Sequence, residues 1–164
     1  MNLIFDRPGD AQLVLYSGGT VTADGALGTG LDLAPGLALA TGTIGTPGDA
    51  LLLGDLGIDI TALDIASADE TYTFRLFGSN DPTFSTKWLC GTFEVGRAAV
   101  TGTNKRLGRH WFPFRNAAVE DAASYPAGSG VYRTFRYVRL ELDVAGTTPS
   151  VTCTAVVVPI IARV

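Results

Sequence analysis

The sequence predicts an all-β protein, an antiparallel β-sandwich with long glycine-rich loops, and three observations carry that prediction. Apolar residues make up 46% of the chain, yet 20 glycines and 8 prolines cut them into short runs, a composition of many short strands rather than long helices. Where a run is regular its period is two: Val138, Leu140, Leu142 and Val144 alternate with Tyr137, Arg139, Glu141 and Asp143. The run Val151 to Pro159 is dense in β-branched residues, with Val151, Cys153, Ala155 and Val157 on one face and Thr152, Thr154, Val156 and Val158 on the other. With the turn formers Ala145 to Ser150 between them, the two runs read as a terminal hairpin with one buried face. At 164 residues the chain is expected to form one domain, 1–164, burying roughly 70% of the surface of its unfolded form.

Taken in order, Leu3 to Phe5 and Gln12 to Tyr16 are short apolar pieces, the second a strand ending in a turn at Ser17-Gly18-Gly19. Ser17 to Asp49 reads as loop with short edge strands, its apolar footholds being Leu31 to Leu33 and Leu37 to Leu39. Gly25, Gly28 and Gly30 lack the spacing of a phosphate-binding loop. Ala50 to Ile65 carries Asp55, Asp59 and Asp64 at intervals that allow a short helix, but Gly54 and Gly57 argue for strands. In Thr71 to Phe77 the residues Tyr72, Phe74 and Leu76 share one face, and Gly78 to Pro82 are five consecutive turn formers. A second strand, Lys87 to Val95, completes a hairpin. Asn116 to Ala123 allows a short amphipathic helix before Tyr125 to Gly128 breaks it.

Charge is distributed unevenly. Residues 1–70 carry ten acids against Arg7 alone, while residues 71–164 carry eleven bases against six acids, for a net charge of −4. The favoured reading is neutralisation within one fold; docking between copies or onto a shell of opposite sign is the alternative. Cys90 and Cys153, each in an apolar stretch, read as buried free thiols, and with one histidine, His110, they make no zinc site. No basic and apolar leader is read at the start, and no run approaches the ~18 apolar residues of a membrane span, so the expectation is a chain soluble and cytoplasmic at synthesis.

Catalysis has little to work with. A single histidine, no Gly-x-Ser-x-Gly elbow, no Walker sequence and no metal box lead to the expectation of no enzyme, no catalytic residue, no metal and no cofactor. The chemically distinctive stretch is Thr101 to Arg115, a glycine-punctuated basic loop running into Trp111-Phe112-Pro113-Phe114. Three readings are open: a core strand carrying an exposed basic loop, a protein interface, for which Trp, Phe and Arg are the enriched types, and, least favoured, nucleic-acid binding. The candidate protein contacts are Lys105, Arg106, Arg109, Trp111, Phe112 and Arg115.

Several stretches carry a family resemblance. They are Asp10-Ala11-Gln12, Gly30 to Leu33, Phe74-Arg75-Leu76-Phe77-Gly78-Ser79-Asn80-Asp81-Pro82-Thr83-Phe84-Ser85, Arg136-Tyr137-Val138-Arg139-Leu140 and Val144 to Thr147. In these the chain resembles the small jelly-roll cement, or decoration, proteins of tailed bacteriophage capsids. The likeness is strong over Thr71 to Ser85 and the C-terminal runs and thin between them. It implies a jelly-roll sandwich on the outer capsid surface of the virion, added to an expanded shell and bridging subunits of the major capsid protein. It also implies a homodimer or homotrimer that touches neither membrane nor nucleic acid. Gly96 to Gly130 is longer than the family's usual connection, which makes Lys105 to Arg115 the natural place for a distinctive contact. The competing reading is a carbohydrate- or receptor-binding sandwich of a phage tail or fibre, with Tyr16, Trp88 or Trp111 as the sugar platform.

Overall fold

The structure is a computed structural model that describes residues 14–33, 53–67, 69–96, 107–119 and 132–159. Among these residues ten strands follow in order: β1 Val14–Val21, β2 Gly25–Asp32, β3 Leu53–Leu63, β4 Thr71–Ser79, β5 Trp88–Gly96, β6 Gly108–Arg115, β7 Ala117–Val119, β8 Tyr132–Thr134, β9 Tyr137–Ala145 and β10 Val151–Pro159. Eight of them make two four-stranded antiparallel sheets, sheet A in the order β1-β10-β3-β6 and sheet B in the order β2-β9-β4-β5; β7 and β8 pair apart. The sheets form a β-sandwich. Among the described residues there is no helix, and none long and apolar enough to cross a membrane.

The period of two does what the sequence requires. Val138, Leu140 and Leu142 of β9, Tyr72, Phe74 and Leu76 of β4, and Val151, Cys153, Ala155 and Val157 of β10 are all buried in one cluster with Leu56, Ile58 and Ile60 of β3. Burying one such side chain stabilises by about 1.5–3 kcal/mol, so the alternation fixes which face of each strand turns inward. Both cysteines are buried free thiols, as expected. Burial pushes the thiol of Cys90 up to about 12 and that of Cys153 up to about 11.

Several expectations give way to the structure. β9 and β10 are consecutive but do not pair: β9 lies in sheet B between β2 and β4, and β10 lies in sheet A between β1 and β3. The turn between them crosses the sandwich and is held there by Tyr72, whose hydroxyl donates to Asp64 O at 2.6 Å and accepts from Ser150 N at 3.0 Å. Asp69 accepts from the N–H and hydroxyl of Thr147 in the same turn. The predicted turn at Ser17-Gly18-Gly19 is instead part of β1, which passes it with register shifts against β10. The predicted helix from Asn116 begins as a strand, because Asn116, buried, exchanges hydrogen bonds with the backbone of Phe135 at 2.9 and 2.8 Å and aligns β7 on β8. Its remaining residues, 120–123, lie outside the described residues, as do Leu3 to Phe5, Gln12 and Leu37 to Leu39.

The β4–β5 hairpin stands as predicted, and its turn explains the Ser-Asn-Asp motif in local terms. The Asp81 carboxylate accepts from the N–H and hydroxyl groups of both Thr83 and Ser85, and the hydroxyl of Ser85 and then that of Thr83 hold its carboxyl well below the usual range. Asn80 Oδ1 accepts from Arg136 N at 2.9 Å, which ties this turn to the start of β9. Gly78 faces the ring of Phe135, where an added Cβ would come within 2.2 Å. Only glycine fits at that point.

Candidate functional site

Among the described strands β6 is an edge of sheet A, and its alternation sorts the candidate contacts onto two faces. Phe112 and Phe114 turn into the core, with Phe112 only 6% exposed and its ring 4.6 Å from that of Phe93. Phe112 is therefore a packing residue rather than a contact, because successive side chains of a strand point to opposite sides. Arg109, Trp111, Pro113 and Arg115 share the outward face. Lys105 and Arg106 lie outside the described residues. The structure thus brings together three of the six predicted contacts, Arg109, Trp111 and Arg115.

Register shows what surrounds them. Across sheet A one row runs Val14, Val156, Gly57, Trp111, and the rows beside it carry Val158, Asp55 and Pro113 on one side and Thr154, Asp59 and Arg109 on the other. Leu53 pairs with Arg115 at the end of the face. Gly57 is a requirement of this arrangement: the Trp111 ring lies over it, and a Cβ there would come within 2.7 Å of the indole. Trp111 nevertheless stays 50% exposed and Leu53 51%. Arg109 Nη2 donates to Asp59 Oδ2 at 2.9 Å, and its guanidinium lies 5.9 Å from the Trp111 ring, at the limit of a cation–π contact. The outer face of sheet A is thus an apolar band with a raised indole and a balanced set of two acids and two bases.

Other candidate chemistry disperses. Trp88 stacks on Phe135 at 5.2 Å and Tyr16 packs against the core, so of the three proposed sugar-platform rings Trp111 alone presents an open face. Among the described residues no group of three or more His, Cys, Asp or Glu side chains is placed to hold a metal. A groove of about 260 Å³ on sheet B is lined by Asp24, Arg75, Glu141 and Asp143, but these side chains already answer one another. Arg75 pairs with Asp143, Lys87 Nζ and Arg139 Nη2 reach Glu141 Oε1 at 2.7 and 2.6 Å, and Asp24 accepts from Val144 N. A site for a small organic ligand is ordinarily larger and more apolar.

The uneven charge of the two halves is partly met inside the fold: Asp32 takes the guanidinium of Arg136 at 2.9 and 2.8 Å, and Asp59 takes Arg109. Sequence reasoning missed Gly57, Asp59, Leu53 and Val156 as members of the face. Val156 and Val158 on the non-core side of β10 were the available signal. Against known proteins, the chain matches no family model, no curated protein and no solved structure.

Proposed function

We propose that this chain is a structural virion protein of jelly-roll type that decorates and cements the outer surface of an expanded bacteriophage capsid by bridging subunits of the major capsid protein. The observation that carries the reading furthest is the outer face of sheet A, an apolar band with a half-exposed tryptophan, flanked by two acids and two bases. Such a surface is built for protein contact, where buried aromatic anchors contribute most of the affinity.

The jelly-roll form is supported by the nesting of the strands. β1 pairs with β10, β2 with β9, β3 with β6 and β4 with β5, the pattern of a long hairpin rolled up until β10 also meets β3 and β9 also meets β4. The resemblance of Phe74 to Ser85 and Arg136 to Leu140 to capsid decoration proteins supplies the capsid. A cement protein works by summed contacts repeated over a symmetric shell, so it needs a stiff scaffold and no catalysis, metal or cofactor. In this reading the protein is made in the host cytoplasm and ends on the outer capsid surface.

The test is co-sedimentation of purified protein with expanded capsids that lack it, beside a glycan array. Saturable capsid association with a raised temperature of genome release is the expected result. Saturable glycan binding through Trp111 without capsid association would overturn the reading in favour of a tail or fibre sugar-binding module.

A further inference from the structure

We propose that a second copy of this chain docks on the outer face of sheet A, face to face, about a two-fold axis parallel to the strands. The resemblance already implies self-association; the proposal assigns it to this face and this axis, and its test needs no capsid.

Sideways growth of sheet A is disfavoured at both edges. The ladder between β6 and β3 runs unbroken through Pro113, so the missing N–H of that proline falls on the side of β6 away from β3. At the other edge β1 carries two register shifts against β10. The outer face remains, and it holds Val14, Val156, Val158, Trp111, Pro113 and Leu53.

Charge selects both the partner and the orientation. β1 and β10 carry no charged side chain, whereas β3 and β6 present Asp55, Asp59, Arg109 and Arg115, two of each sign. A face with no net charge neither repels its own copy nor steers a charged partner. A two-fold parallel to the strands lays β3 and β6 of one copy on β10 and β1 of the other, so no carboxylate meets a carboxylate and no guanidinium a guanidinium. A two-fold across the strands would lay β6 on β6 and gather the arginines of both copies on one pair of strands. Relief agrees with charge: the indole over Gly57 stands up on one half of the row, and the other half offers only Val156 and Val14. Each copy's Trp111 covers the other's valine pair, an aligned packing of two sheets closed by symmetry.

Sedimentation equilibrium of the full chain over a concentration series, with no capsid present, tests this. A dimer is expected, with its dissociation constant raised at least ten-fold both by Trp111→Ala on one half of the face and by Val156→Glu on the other. Leu89→Ala, an exposed apolar residue of sheet B, is the control that leaves it unchanged. Circular dichroism establishes that each variant is folded. A short bismaleimide is expected to join Pro113→Cys chains to Val14→Cys chains in a mixture and not to join Pro113→Cys chains to one another. A monomer at every concentration overturns the proposal, whether Trp111 is then open to solvent or shielded by another segment or another protein. A dimer indifferent to both face variants, or one cross-linked through paired Pro113→Cys chains, also overturns it.

Discussion

The two outward faces of this sandwich are made of similar backbone and differ in whether their side chains answer one another. On sheet B, Arg75 meets Asp143, Glu141 is shared by Lys87 and Arg139, and the remaining cation surfaces lie on rings, Lys87 4.4 Å from Phe77 and Arg139 4.3 Å from Phe84. On sheet A, the exposed Arg109–Asp59 pair and a band of valines surround a half-open tryptophan. A face whose charges are largely paired can meet water at little cost, even with Leu89 of sheet B half exposed. The face of sheet A leaves apolar area whose burial waits on something else.

The sharpest way to probe this contrast is a matched pair of glycine substitutions. Gly78→Ala in sheet B forces a methyl group against Phe135, which is fully buried and has nowhere to go, so a loss of about 3 kcal/mol is expected in urea unfolding. Gly57→Ala in sheet A pushes on an indole that is half in solvent and free to swing away. Its expected cost is under about 1 kcal/mol, with a red-shifted tryptophan emission as the signature. Equal costs would break the comparison.

Next in size are the ion pairs. Glu141→Gln removes the shared acceptor of Lys87 and Arg139 from a carboxylate only 19% exposed and should cost about 1–2 kcal/mol, because the guanidinium of Arg139 is itself mostly buried. Asp59→Asn disrupts the exposed pair with Arg109 and should cost no more than about 0.5 kcal/mol by the same measurement.

Acid titration follows from the same inequality. Burial pushes the Glu141 carboxyl up, but the hydrogen bonds from Lys87 and Arg139 outweigh it and hold the group below its ordinary value. The N–H and hydroxyl of Thr147 lower Asp69, and Ser85 and Thr83 lower Asp81. Groups lowered by folding contribute stability above their unfolded values, about 4, and lose it as pH falls through the folded ones. Stability should therefore be flat from pH 7 to 5 and fall below about pH 4, and Glu141→Gln should flatten the fall. The smallest expected effect is a control on the inward sides, where the sheets are alike. Cys90 of sheet B and Cys153 of sheet A, both raised by burial, should resist a thiol reagent at pH 8 in the folded protein and react together on unfolding.

How much of this was written in the sequence depends on the range of the interaction. The inward sets of β4, β9 and β10 were legible because alternation is local, and so was the β4–β5 hairpin, whose turn is fixed by Asp81 reaching residues two and four further on. The crossing from β9 to β10 was not legible. A turn-rich stretch between two strands looks the same whether they pair or part, and the Tyr72 hydroxyl that decides it sits 78 residues from Ser150. Ala117-Ala118 favours a helix by propensity, yet the hydrogen bonds from the Asn116 side-chain amide to Phe135 O and from Phe135 N to Asn116 O override it. At the candidate site, the sequence marked Trp111 and Arg109 by type but gave no sign that Gly57 and Asp59, some fifty positions earlier, lie beside them.

The position of β10 between β1 and β3 also constrains how the chain is made. Sheet A lacks its second strand until Val151–Pro159 has left the ribosome, and among the described strands β1 has no ladder partner before then. The β4–β5 hairpin is the only pairing among the eight sandwich strands that joins neighbours in the chain, so nearly every other contact closes a long loop and high contact order makes folding slow, on the order of milliseconds to seconds. Through that interval the valine-rich strand edges stand open, and a nascent chain stalled short of Val151 would present β1 and β3 as templates for aggregation.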